Sequence, residues 1–205
     1  MKTFQKILFA ALLSGLFLLG SSVNKVSAQI STGGIYQTYD DYLHKRVTMY
    51  DEIKLGAHAF KGTLKGKKIA TSYKDADFWG IQDEDGVDYR VNKKGNEIDR
   101  VITKGKICYF AGRQLQIEKF DDGKVKSMDI KAEDGKFSDY FWVSAGGEGE
   151  MLAASIENLT KLFADDSELI EKMNKTGIDE KTEKKWLDDF TNVGNWIGEY
   201  DKTHK

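Results

Sequence analysis

Asp85-Gly86-Val87-Asp88-Tyr89-Arg90-Val91 is the stretch on which the fold turns. Asp-Gly supplies the positive φ angles that a tight hairpin turn requires. Val87 to Val91 then alternates apolar and polar residues, a period of two that buries one face of a strand. The same alternation recurs at Ile69-Ala70-Thr71-Ser72-Tyr73 and at Gln114-Leu115-Gln116-Ile117-Glu118, and the turn signal repeats at Asp122-Gly123 and Asp134-Gly135. From about residue 35 to residue 145 such runs return every 8 to 12 residues, the spacing of an all-β module. Residues 29–147 are therefore expected to form an antiparallel β-meander, barrel- or sandwich-like.

Outside these strands the period becomes helical. In Thr38-Tyr39-Asp40-Asp41-Tyr42-Leu43, Thr38 with Asp41 three residues on resembles a capping box, so a helical turn is expected there. Gly146-Gly147-Glu148-Gly149 reads as a flexible joint, after which Leu152, Ile156, Leu159, Leu162 and Phe163 share one face of a helix over about 150–164. Asp165-Asp166-Ser167-Glu168 is a cap signature for a helix through Asn174, and Gly177 breaks the chain. A last helix over about 180–200 carries Trp186, Phe190, Val193, Ile197 and Tyr200. Its two heptads are too few for a coiled coil, so the stripe is expected to dock on the chain's own sheet. The fold class is α+β, with residues 148–205 forming C-terminal helices against the β module.

The N-terminus reads as a targeting segment. Lys2 and Lys6 precede an apolar run from Ile7 to Leu19, and a polar stretch ends in Val26-Ser27-Ala28, a small-residue cleavage pattern. Thirteen residues fall short of the roughly 20 that span a bilayer, and no cysteine lies between Gly20 and Gln29 for lipid attachment. The expected product starts at Gln29, is soluble and does not span the membrane, and works in the periplasm or outside the cell. At 177 residues it buries roughly 70% of its unfolded surface without disulfides.

Composition excludes several function classes. Residues 29–147 carry 20 basic and 19 acidic side chains, and residues 148–205 carry 8 and 14, so no basic face of the kind that neutralises nucleic-acid phosphates is implied. Cys108 is the only cysteine and sits in an apolar strand run, which reads as core. Metal, phosphate-loop and nucleophile-elbow motifs are all missing. Asp83-Glu84-Asp85-Gly86-Val87-Asp88 fails the calcium-loop pattern, because glycine falls at position 4 and Gly95 at position 12. No catalytic residue, metal or cofactor is nominated.

Aromatic strand residues are the remaining candidates. Trp79, Tyr140 and Trp142 are proposed to contact a small molecule, a glycan or an envelope protein, with core packing as the competing use. Neighbouring strand residues point to opposite faces, so either Phe141 or the pair Tyr140 and Trp142 lies away from the main core. The functional expectation is an exported, non-enzymatic binding module. The alternative is an envelope hydrolase acting on glycans or peptides with carboxylates drawn from the turns.

Gly34-Ile35-Tyr36-Gln37-Thr38-Tyr39-Asp40-Asp41-Tyr42 resembles the GIY-x-T-x-x-D/E-F opening of a family of secreted Bacteroidota proteins, with Tyr42 where phenylalanine is usual. Phe78-Trp79-Gly80-Ile81 through Asp88-Tyr89-Arg90 resembles that family's second motif, and Asn158 to Asp165 its helix ending. The resemblance implies an envelope or secreted location and supplies no activity or catalytic residues.

Overall fold

The computed structural model describes residues 33–113, 115–119, 125–130, 136–179 and 183–204. The expected targeting segment 1–28 and the turns at Asp122-Gly123 and Asp134-Gly135 lie outside the described residues. In chain order the strands are β1 (Gly34–Tyr36), β2 (Thr48–Met49), β3 (Glu52–Leu55), β4 (Ala59–Leu64), β5 (Lys67–Ser72), β6 (Gly80–Gln82) and β7 (Asp88–Asn92). They continue as β8 (Glu97–Thr103), β9 (Ile107–Gly112), β10 (Leu115–Lys119), β11 (Val125–Ile130), β12 (Phe141–Ala145) and β13 (Leu152–Ala153). The helices are α1 (Tyr39–Leu43), α2 (Phe137–Tyr140), α3 (Ile156–Leu162), α4 (Ser167–Thr176) and α5 (Glu183–Thr203). The α+β reading holds.

Eight strands form one open antiparallel sheet in the order β13-β12-β9-β8-β7-β6-β1-β2. Strands β3 to β5 form a separate three-stranded sheet, and β10 with β11 a two-stranded one. The meander thus makes two excursions, and the large sheet keeps two free edges instead of closing into a barrel. Both edge strands are two residues long, which limits the unpaired backbone on offer.

Turn chemistry explains the hairpins. Lys65 and Gly66, at φ +50° and +76°, form the two-residue link between β4 and β5, the geometry of a type I′ turn. At the β6–β7 turn the Asp83 carboxylate accepts from the backbone N–H groups of Asp85 (3.0 Å) and Val87 (2.8 Å). The acidic cluster is thus a side-chain-stapled turn.

Register assigns the two faces of the large sheet. Ile35 pairs with Ile81, Ile81 with Tyr89, Val91 with Ile98, Tyr109 with Val143, and Ala111 with Phe141. This inner face is largely apolar, with Arg100 the charged partner of Tyr89 and Ala111 along it. At one end Ile35, Ile81, Val91 and Ile98 pack with Ile53 and Phe60 of the small sheet. At the other end Tyr109, Phe141 and Val143 pack with Leu159, Phe163, Trp186, Phe190, Val193 and Ile197 of the helical segment. The helices dock on the sheet through the expected α5 stripe.

Two local readings need correction. The helix expected from residue 150 begins at Ile156, where Ser155 caps it by accepting from Asn158 N–H at 3.3 Å. Leu152 and Ala153 instead add the edge strand β13, because Ala153 pairs with Trp142 and Leu152 with Val143. Tyr140 is not a strand residue. It ends the helical turn α2, which swings its ring to the inner face, 4% exposed and 5.5 Å from Trp186. Tyr140 and Trp142 therefore do not share a face, and Phe141 is the core residue between them.

Candidate functional site

The outer face of the large sheet is where the chain departs from ordinary packing. Tyr36, Gly80, Arg90 and Asp99 form one continuous row of register partners across β1, β6, β7 and β8. Phe110 pairs with Trp142, and Cys108 with Ser144. Five buried polar or charged residues occur among the described residues, and four of them, Arg90, Asn92, Asp99 and Ser144, point to this face. Burying polar groups is costly unless each finds a partner, so their concentration marks a built feature.

Arg90 is the centre of that feature. Its Nη1 donates to Ser144 Oγ at 3.0 Å, its Nη2 donates to the Gly149 carbonyl at 2.6 Å, and the guanidinium lies 5.2 Å over the Phe110 ring. Burial lowers its pKa from the usual arginine range. Beside it, Asn92 Nδ2 donates to Asp99 Oδ2 at 3.1 Å, while Asn92 Oδ1 accepts from Gly95 N–H at 3.0 Å. Asp99 is fully buried, and its Oδ1 has no hydrogen-bond partner among the described residues. Desolvation, followed by the nearby Glu97 charge, pushes its carboxyl up to about 8.

An aromatic block from α1 covers part of this face. The Trp79 ring stacks on Tyr42 at 4.7 Å and lies 5.3 Å from Tyr39, while Tyr36 meets Tyr42 edge-on at 5.4 Å. Tyr36 OH donates to Asp88 Oδ1 at 2.8 Å, and Lys45 Nζ donates to Asp88 Oδ2 at 2.6 Å. Tyr39 OH lies 3.6 Å from Cys108 Sγ, which places the lone thiol in the packed layer under α1. Burial, more than these contacts, pushes the Tyr42 hydroxyl up to about 12.

The glycine segment after β12 closes over the same block, which corrects its reading as a flexible joint. Gly146 N–H donates to the Lys106 carbonyl, Ser144 Oγ donates to the Gly146 carbonyl, and Trp79 Nε1 donates to the Gly147 carbonyl at 2.7 Å. Gly146 takes φ +62°, and a Cβ on Gly147 would lie 2.1 Å from the Tyr39 ring. The glycines are there for backbone shape and close approach.

Between this loop and the β7–β8 turn run two clefts. The first, about 510 Å³, has Arg90 and Asn92 in its wall, with Trp79 and Tyr39. The second, about 410 Å³, is lined by Trp142, Ala153 and Asn158. Asn92, Lys94 and Met151 line both. Above them Lys94 Nζ pairs with Glu150 Oε1 at 3.6 Å, an exposed bridge worth well under about 1 kcal/mol.

Of the three residues nominated from sequence, Trp79 and Trp142 thus line adjoining clefts and Tyr140 lines neither. The buried polar row went unnoticed in the sequence. Its signal was present in Tyr89-Arg90-Val91-Asn92, where polar residues occupy alternate positions of a strand whose other face is core. Among the described residues no group of three or more His, Cys, Asp or Glu side chains is placed to hold a metal ion, and no helix is long and apolar enough to cross a membrane. Compared with protein-family models, curated proteins and solved structures, the chain gives no match.

Proposed function

We propose that the chain is an exported, non-enzymatic binding module whose ligand lies along the outer face of the large sheet, from Trp79 to Trp142. The observation that carries this reading is the pair of clefts joined through Asn92, Lys94 and Met151, each with an indole in its wall. The two indoles are half-buried and add apolar surface to the clefts, while Asn92 and Arg90 offer fixed polar groups. A small number of placed polar groups beside aromatic walls is the usual make-up of a ligand site. Export rests on the N-terminal segment, and the ligand class on the cleft alone.

The hydrolase alternative has less behind it. Asp77, Glu148 and Glu150 line the first cleft, but all three are exposed. A general acid must hold its proton near working pH. The carboxyl pushed up to about 8 is Asp99, which is 0% exposed, so no substrate reaches it.

A binding screen over glycans and small molecules tests the proposal, followed by Trp79→Ala and Trp142→Ala in separate proteins. Hits are expected to be lost in the variants while far-UV circular dichroism stays unchanged. A hit retained at full affinity in both variants would place the ligand elsewhere, and global unfolding of both would show that the indoles are core.

A further inference from the structure

We infer that the first cleft takes an acidic saccharide whose carboxylate meets the guanidinium of Arg90, an inference that rests on the binding-module reading above. Arg90 is 9% exposed and yet part of the cleft wall. Two of its five N–H groups are used, by Ser144 Oγ and the Gly149 carbonyl. Among the described residues no carboxylate forms an ion pair with it. Its register partner across β8 is Asp99, whose Oδ2 accepts from Asn92 and makes no ion pair with the guanidinium.

The direct contacts of the guanidinium are all neutral, namely a hydroxyl, a carbonyl and the Phe110 ring. A buried charge without a directly paired counter-charge is costly to hold, and a ligand carboxylate supplies such a partner. Guanidinium and carboxylate match in planar, two-pronged geometry, and the bond is strongest where water is excluded.

The rest of the wall narrows the ligand class. Trp79 and Tyr39 present aromatic surface, while Gln37, Thr38 and Asn92 present amide and hydroxyl groups. A sugar ring has this combination, one apolar face and an edge of hydroxyls. The exposed rim carries both signs, Lys93 and Lys94 against Asp77, Glu148 and Glu150. Two lysines against three carboxylates give the rim no preference for an anion, so that preference rests on Arg90.

Calorimetric titration with uronate and sialate oligosaccharides, each paired with its carboxyl methyl ester, tests the inference on the unaltered protein. At least one acid is expected to bind roughly tenfold or more tightly than its ester, the loss of one charge-assisted pair. Arg90→Lys, which keeps the charge but loses the fork, is expected to weaken the acid by more than it weakens the ester, so that the preference for the acid shrinks. Equal binding of acid and ester, lost in Trp142→Ala or Trp79→Ala, would overturn this inference and leave the binding-module reading standing. Absence of binding by every acid and ester would overturn it too, and a glycan and small-molecule screen equally without hits would take the binding-module reading with it. Should Arg90→Lys fail to fold, the ester comparison decides alone.

Discussion

The indole nitrogen of Trp79 donates to the carbonyl of Gly147 at 2.7 Å, tying the strand that opens β6 to the loop that follows β12. The bond is possible because Gly147 has no side chain, since a Cβ there would sit 2.1 Å from the Tyr39 ring that stacks beside Trp79. Gly147→Ala must therefore lift the loop or turn the ring. The expected cost is about 1–3 kcal/mol, as for other overpacked sites. It is measured as a lower urea midpoint at unchanged slope. A variant as stable as the parent would show that the loop is not clamped.

Stability is expected to fall between about pH 4 and pH 8 because of Asp99. Its folded pKa, about 8, lies above its ordinary value of 3.8, chiefly through desolvation. The folded state then binds a proton that the unfolded state has lost, so this contribution is complete below pH 4 and is lost as pH rises toward 8. The slope from one such group is up to about 1.4 kcal/mol per pH unit. Asp99→Asn, neutral throughout, is expected to flatten the profile over this window. Parallel profiles for parent and variant in pH-dependent urea melts would contradict the assignment.

The short helix α1 depends on its cap. Thr38 Oγ1 accepts from Asp41 N–H at 3.1 Å, and Asp41 Oδ2 accepts from Thr38 N–H at 3.1 Å. Five residues of helix have little stability of their own, and they carry Tyr39 and Tyr42 onto the sheet. Thr38→Ala is expected to cost about 0.5–2 kcal/mol and Thr38→Ser much less. Equal melting curves for the two would show that the cap does not matter.

Trp186 anchors α5, fully buried against Phe137 and Tyr140. Trp186→Ala is expected to cost about 3–5 kcal/mol, the range for large aromatic truncations in a core. Lys161→Ala, which removes an exposed pair with Glu157, is expected to leave the urea midpoint essentially unchanged, because exposed pairs contribute little. Urea melts of both variants give the comparison, and similar losses would mean that α5 is not docked as described.

For the N-terminal segment the expectation is chemical. Mass spectrometry of the purified mature chain is expected to give a product that starts at Gln29, as glutamine or as the pyroglutamate it forms, and retention of Met1 would refute cleavage.

The fold class was legible because burial periodicity is local. Val87 to Val91 alternates, the Trp186 to Tyr200 spacing is helical, and glycine turns separate the runs, so strand and helix types follow from neighbouring residues. The α1 cap and the break at Gly177 were likewise readable from a few adjacent side chains. Errors fell where strand pairing or a local turn outweighs the residue pattern. Leu152 fits a helical stripe, yet pairing with Val143 makes it a strand. Tyr140 fits a strand, yet the turn α2 sends it into the helix-covered core.

The candidate site divides the same way. Sequence alone determined that Trp79 and Trp142 are aromatics on a β module and that no familiar catalytic or metal motif accompanies them. Only the tertiary structure decided that Arg90, Asn92, Asp99 and Ser144 meet on one face, because that meeting depends on the register of β7, β8, β9 and β12. Arg90, Asn92 and Asp99 belong to one hairpin, but Ser144 joins them only through the pairing of β9 with β12, which lie far apart in the chain, and a slip of one residue would send every side chain of a strand to the other face.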